Sequence, residues 1–340
     1  MVHGGDIYRN QINIDFSVNV NPLGMPKSVE DALVQAVRES AAYPDIRADE
    51  LRKCTAKQLG VPEKSLLFGN GASELFLAIV HALSPKKTVI PVPSFYGYEY
   101  AAGATGGVIE FVQLSEEKGF CLDEQILAHL DETVDILFLA NPNNPVGNLI
   151  NAELLYRIMC YCRERGIIVV LDECFVELCD EAVSALSWRE KFPNLLIVRA
   201  FTKTYAIPGV RLGYLVGTDS MLLEQISRQL PEWNLSTFAQ RAGCAACSEL
   251  SYVEEAKRQI AVERHFLAEG LRALGITVYD GAANFVLLKS GHPLYDRLLE
   301  RHILIRDCSN YRGLEKGYYR IAVKSHSENE ELLEEIGEIV

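Results

Sequence analysis

No apolar run in the sequence approaches the roughly 20 residues that a membrane-spanning helix requires, the longest being short segments such as "GIIVVL" and "ILFLA". No repeat and no low-complexity segment interrupts the chain. No signal peptide precedes the first polar residues, so secretion is not expected and a cytoplasmic location is. Positive charge is in deficit, 33 Lys and Arg against 46 Asp and Glu, for a formal net charge of -13. That balance argues against a general nucleic-acid surface. The nine cysteines are scattered and odd in number, unlike the paired framework of a small secreted domain. Cys244 and Cys247 form a CxxC, but "FAQRAGCAACSEL" reads as a helix with small buried residues. Without a second pair or nearby ligands these thiols are expected to be inert, and no metal is expected.

What remains is a globular composition: 340 residues, 49% apolar and 23% charged, enough for one large domain plus a smaller one. Residues 1–25 mix glycine and polar residues with short extended pieces and read as an arm. Pro26 then opens an apolar-periodic helix over residues 27 to about 42. From there, apolar runs alternate with helical patterns: "SLLFG", "KTVIPV", "GVIEFV", "DILFLA", "GIIVVL", "NLLIVRAF" and "GYLVG". Runs apolar on both faces suit a parallel sheet covered by helices. The expected fold class is α/β: a large domain over 26–230 with a mostly parallel seven-stranded sheet, then a smaller α+β domain over 231–340. Its strands are placed at "NFVLL", "ILIRD" and "YYRIAV", and the arm is expected to return to it.

Open parallel sheets bind ligands at the carboxyl ends of their strands, so the strand ends carry the functional information. "LLFGNGASELF" sets Gly69, Gly71, Ala72 and Ser73 between a strand and a helix, where backbone amides can approach an anion. "NPNNPVGN" puts Asn141, Asn143 and Asn144 in a rigid turn whose amides can face a ligand. "GIIVVLDECF" ends a buried strand in Asp172 and Glu173, and a carboxylate there must be hydrogen-bonded or paired with a cation. "RAFTKTYAIPGVRLGY" supplies Lys203, beside Thr202, as an amine placed for covalent chemistry, and Arg211 as a fork of donors for a phosphate.

The markers "NPNNPVG", "LDE" and "FTKTYAIPGVRLGY", in this order and spacing, resemble the fold-type I, aspartate-aminotransferase-like pyridoxal 5'-phosphate enzymes over nearly the whole chain. The resemblance implies that Lys203 carries the cofactor, that Asp172 pairs with its ring nitrogen and that Asn144 bonds its ring hydroxyl. It also implies a phosphate cup of Gly71, Ala72, Ser73, Thr202 and Arg211, and an aromatic ring, Phe95, stacked on the pyridine with Tyr98 nearby. Tyr43 matches a tyrosine that related enzymes extend into the partner subunit's site, which implies a homodimer with shared active sites. A non-enzymatic regulator on this fold would normally add a DNA-binding domain, and the chain begins almost directly with the arm. An enzyme is therefore expected.

Within that family the sequence resembles both histidinol-phosphate aminotransferases and the threonine-phosphate decarboxylases of cobalamin biosynthesis, and four features lean towards the latter. They are the opening "HGGD" with His3, the segment "IDFSVNVNPLG", Phe175 where the aminotransferases usually have a tyrosine, and "ILIRDCSNYRGLEKGYYRIAV". The resemblance implies that His3, Arg306 and Arg312 hold a substrate phosphate and that Arg320 grips an α-carboxylate. The implied reaction converts L-threonine O-3-phosphate to (R)-1-amino-2-propanol O-2-phosphate and carbon dioxide. Transamination, and a preference for L-serine O-phosphate, stay open, since the first uses nearly the same residues and the second differs by one methyl group.

Overall fold

The computed structural model describes residues 4–180 and 182–340. After an arm containing β1 (Ile14–Asp15), two helices, α1 (Lys27–Glu39) and α2 (Asp49–Leu59), precede the alternating part. That part comprises β2 (Leu66–Gly69), α3 (Ala72–Leu83), β3 (Lys87–Val92), α4 (Tyr96–Gly103), β4 (Val108–Gln113) and β5 (Ile136–Ala140). It continues through α5 (Ala152–Glu164), β6 (Ile168–Asp172), β7 (Leu195–Ala200), α6 (Phe201–Thr204), β8 (Gly213–Val216) and α7 (Ser220–Ser227). Then follow α8 (Thr237–Ala246), α9 (Leu250–Ala273), β9 (Thr277–Tyr279), β10 (Phe285–Lys289), α10 (Leu294–Glu300) and β11 (Ile303–Leu304). The last elements are β12 (Arg306–Asp307), β13 (Tyr318–Ala322) and α11 (His326–Gly337).

Each of the seven expected runs forms a strand of one sheet, in the order β2-β8-β7-β6-β5-β3-β4. Only β8 runs against its neighbours, so the sheet is mostly parallel as expected. Alternation explains why the central strands are apolar throughout. On β5, Leu137 and Leu139 enter one buried cluster with Val169, Leu171 and Ile197, while Ile136 and Phe138 enter another with Val170, Leu196 and Val198. Successive side chains point to opposite faces, and both faces are covered. Each such fully buried side chain contributes about 1.5–3 kcal/mol.

The expected change of domain after residue 230 falls one helix early. Leu235, Ala239, Ala242, Ala246 and Val253 belong to the same buried cluster as Leu51 and Leu212, so α8 packs with the large-domain core. The smaller unit is a four-stranded antiparallel sheet, β12-β13-β10-β9. It is packed by Leu267, Leu271, Leu298, Leu332 and Ile336 from α9, α10 and α11. The arm does return to this unit: β1 pairs in parallel with β11, and Phe16 is fully buried in the small core. That anchor carries Ser17 and Asn19 to the boundary between the two units. Among the described residues no helix is long and apolar enough to cross a membrane.

At the end of β6 two neighbouring carboxylates have different fates. Glu173 accepts from Arg199 Nη2 at 2.8 Å and Nε at 3.0 Å, from Ser184 Oγ at 2.7 Å and from the Ala185 amide at 2.8 Å. Both partners of this ion pair are buried, and Glu173 raises the pKa of Arg199 against the opposing effect of burial. Arg199→Ala should leave Glu173 buried and charged with no cation beside it, only the Ser184 hydroxyl and the Ala185 amide, and cost about 3–5 kcal/mol. Urea unfolding at neutral pH checks this; a loss below about 1 kcal/mol, the scale of a surface pair, would contradict it.

Candidate active site

The carboxyl ends of β5, β6 and β7 lie on one edge of the sheet, and the small unit faces that edge. Between them is a cavity of about 410 Å³ lined by Asn144, Asp172, Lys203, Arg211, Arg306 and Arg320, among others. Of the expected site residues, Ala72, Ser73, Phe95, Phe175 and Thr202 also line it.

Asp172, unlike Glu173, makes no ion pair among the described residues. It accepts from the Tyr98 hydroxyl at 2.5 Å and from the Cys174 amide at 2.8 Å. Burial raises its pKa, against the pull of the hydrogen bonds from Cys174 and Tyr98. Tyr98 is itself fully buried, stacked on Phe138 and met edge-on by Phe95 at 5.7 Å between ring centroids. The carboxylate is thus held at a fixed angle while its environment still calls for a cation.

Lys203 sits on α6, just past the end of β7. Burial first, and then the Arg320 cation, push its amine down from the usual 10.5 to about 8, although Cys174 and Asp172 pull the other way. Its Nζ lies 5.8 Å from the centre of the Phe175 ring. Phe175 packs edge-on against Phe285 and offers the cavity no hydroxyl.

The anion cradle is built at the start of α3. Gly71 has φ of +78°, and a Cβ there would lie 2.4 Å from Arg211 Nη2, so only glycine admits the guanidinium this closely. Gly213 meets the same turn from β8: a Cβ there would lie 2.7 Å from the Ala72 amide nitrogen. Arg211 is fastened by donating from Nη1 to the Pro208 carbonyl at 3.1 Å. The free amides at the start of the 12-residue α3 and the adjacent Arg211 both favour a bound phosphate.

Arg306 and Arg320 are directly opposite each other on antiparallel β12 and β13, and both are buried. Like charges in such a pair repel. Neither forms an ion pair among the described residues; their partners are neutral. Arg320 donates from Nη2 to the Ser17 carbonyl at 2.9 Å and from Nη1 to Asn144 Oδ1. With its amide oxygen turned inward, Asn19 accepts from Arg320 Nε at 3.1 Å. Arg306 donates to the Asp307 carbonyl and to Asn310 Oδ1, each at 2.8 Å.

Of the three asparagines in the turn after β5, only Asn144 lines the cavity. Asn141 accepts from the Ile150 amide at 2.9 Å, and Asn143 donates to the Pro93 carbonyl at 3.0 Å, so both hold the turn itself. Arg312 is not brought into the cavity. Glu99 binds it bidentately, Nε to Oε2 at 3.1 Å and Nη2 to Oε1 at 2.7 Å, and it lines a neighbouring cleft instead. Tyr43 lies on the surface, 83% exposed, beside Trp233 and outside this chain's own cavity. His3 lies outside the described residues, though Gly4 does line the cavity. Sequence reasoning passed over Ser17, Asn19, Cys174 and Tyr311, which also line it. Asn19 and Ser17 were within reach, since polar residues inside the apolar "IDFSVNVNPLG" call for buried partners.

The description "Aminotransferase class I and II" belongs to the family model that matches residues 11–336. The chain belongs to that family. A threonine-phosphate decarboxylase of Salmonella typhimurium is 36% identical over 94% of this chain and 89% of its own length. Among solved structures, a histidinol-phosphate aminotransferase from Clostridium acetobutylicum superimposes with a TM-score of 0.89 at 32% identity, covering 96% of this chain and 98% of its own. An L-threonine-O-3-phosphate decarboxylase from Porphyromonas gingivalis gives 0.85 at 27% identity, covering 95% and 98%. The fold therefore serves both reactions and does not choose between them.

The cofactor of this family is pyridoxal 5'-phosphate, and the residues present fit it. Asp172 is a buried carboxylate in need of a cation, which a protonated ring nitrogen supplies. Lys203 is a buried amine of lowered pKa, and the Gly71–Arg211 cradle suits the phosphate. If the pKa of Lys203 governs attachment, the rate at which cofactor-free protein captures pyridoxal phosphate should rise as pH approaches about 8 and then level off, because the amine is neutral above that value. Stopped-flow absorbance over a pH series measures it; a rate still climbing towards 10.5 would show an unperturbed amine.

Proposed function

We propose that this chain decarboxylates L-threonine O-3-phosphate, yielding (R)-1-amino-2-propanol O-2-phosphate and carbon dioxide, as a cytoplasmic enzyme of cobalamin biosynthesis. The observation that carries the reading is the cross-strand pair of buried arginines with neutral partners. Two buried cations side by side call for a substrate with two anionic groups, and a phosphorylated amino acid has them. The name and identity of the Salmonella relative support the same choice.

Arg320 takes the α-carboxylate, because it lies beside Asn144 and its charge is felt at Lys203. Arg306 takes the phosphate, because it also lines a second lobe of about 500 Å³ beyond the first. Holding both ends would fix the direction of the bond from Cα to the carboxylate against a cofactor carried by Lys203, Asp172 and the Gly71–Arg211 cradle, and orientation of this kind decides which bond at Cα breaks. Pyridoxal phosphate, when bound, supplies a sink for the electron pair left when that bond breaks. Asp172 would pair with a protonated ring nitrogen, and Tyr98 and the Cys174 amide hold the carboxylate in place for it. Lys203 lines the same cavity and can return a proton to Cα.

Two copies are proposed to pair so that the exposed Tyr43 of each reaches the other's site; Trp233, also exposed, lies 5.2 Å from Tyr43 between ring centroids.

Purified, cofactor-loaded protein given L-threonine O-3-phosphate without a keto acid should release carbon dioxide and aminopropanol phosphate one for one. Inactivity there, with glutamate formed from histidinol phosphate and 2-oxoglutarate, would make it an aminotransferase. Arg320→Ala should lower kcat/KM for the phosphorylated amino acid on the order of 10- to 100-fold, and weaken inhibition by a carboxylate-free phosphorylated amine far less. Equal losses for both would remove the carboxylate role.

A further inference from the structure

Arg312 was expected at the substrate phosphate, yet it is pinned elsewhere, and where it is pinned suggests a different task. The loop between β12 and β13 carries the groups that set both cavity arginines. Asn310 Oδ1 accepts from Arg306 at 2.8 Å, and the Arg306 guanidinium lies 5.2 Å from the centre of the Tyr311 ring. The Tyr311 hydroxyl accepts from Arg320 Nη1 at 3.4 Å and donates to Asn144 at 3.5 Å.

The next residues reach across to the large domain. Arg312 forms its two-pronged bond with Glu99 on α4 and lies 4.0 Å from the centre of the Phe111 ring on β4. Gln113 Nε2 donates to the Gly313 carbonyl at 3.4 Å. Gly313 has φ of +85°, a left-handed conformation that favours glycine. The other end of this bridge is also built into the site: α4 begins after Phe95 and contains Tyr98, the donor to Asp172.

We propose that the Arg312–Glu99 pair is a latch that positions Asn310 and Tyr311, and through them Arg306 and Arg320, over the cavity; Arg312 is a positioning residue and not a phosphate ligand. This rests on the reading that the cavity binds a doubly anionic substrate, but not on which reaction follows. A bidentate pair flanked by an aromatic ring suits the task, since its planar fork fixes direction as well as distance.

The experiment compares Arg312→Ala, Glu99→Ala, Glu99→Gln and the double alanine variant of the cofactor-loaded enzyme. Two readouts are taken: KM and kcat for L-threonine O-3-phosphate, and amide hydrogen exchange of residues 308–314 without substrate. Melting temperatures of all variants identify any that fail to fold. As a latch, both alanine variants raise KM roughly tenfold with a much smaller change in kcat. The double variant is no worse than either single one, Glu99→Gln falls between, and exchange of the loop quickens in every case. If Arg312 is instead a ligand, Glu99→Ala frees it and leaves KM unchanged or lower, which overturns the proposal. Unaltered loop exchange in both single variants overturns it too, and that readout needs no turnover, so it stands apart from the fate of the decarboxylase reading.

Discussion

Two guanidinium groups lie side by side on one face of the small sheet, both buried, and neither meets a carboxylate among the described residues. Burying a charge without its opposite is expensive, and placing two of the same sign in adjacent register adds repulsion. The surroundings limit this cost with neutral acceptors: the Ser17 and Asp307 carbonyls and the amides of Asn19, Asn144 and Asn310. These satisfy the N–H groups without cancelling the charge. With Lys203 and Arg211 facing the same cavity, positive charge is concentrated in a protein whose formal net charge is -13. The field at the cavity is thus set against the field of the molecule, and an anion gains most by entering it.

The large sheet provides the opposite wall. Three parallel strands end together, and their ends supply Asn144, Asp172 and Lys203 from three separate stretches of chain. The two acids at the end of β6 show how the strand divides its work. Glu173 is neutralised by Arg199 and serves the fold, whereas Asp172 is steadied only by neutral donors, so its charge stays available. The arm completes the enclosure: Phe16 anchors it in the small core, and the residues just after it meet Arg320.

Much of this was legible in the sequence. A strand buried on both faces is written as a continuous apolar run, and the seven such runs are the seven strands. The polar residues closing those runs were candidates because polarity at a buried strand end requires a purpose. Less was legible where residue type has several uses. Three asparagines in one turn looked alike, yet Asn141 and Asn143 hold backbone and only Asn144 faces the cavity. Arg312 carries the same fork of donors as Arg306, and its direction is decided by Glu99, far away in sequence. The helix after residue 230 looked like the start of a new domain because the strands had ended. Its small residues, Ala239, Ala242 and Ala246, allow it to pack closely into the first domain's core. Tyr43 lies exposed beside Trp233, away from this chain's cavity, and nothing in the residue type announces that position.

The central claim is that the paired arginines read the two anionic groups of one substrate. A crystal structure of the Lys203→Ala variant with pyridoxal phosphate and L-threonine O-3-phosphate tests it most directly. The account predicts the α-carboxylate on Arg320 beside Asn144 and the phosphate on Arg306; a substrate bound with neither group on these arginines, or with both arginines turned to protein carboxylates, would contradict it.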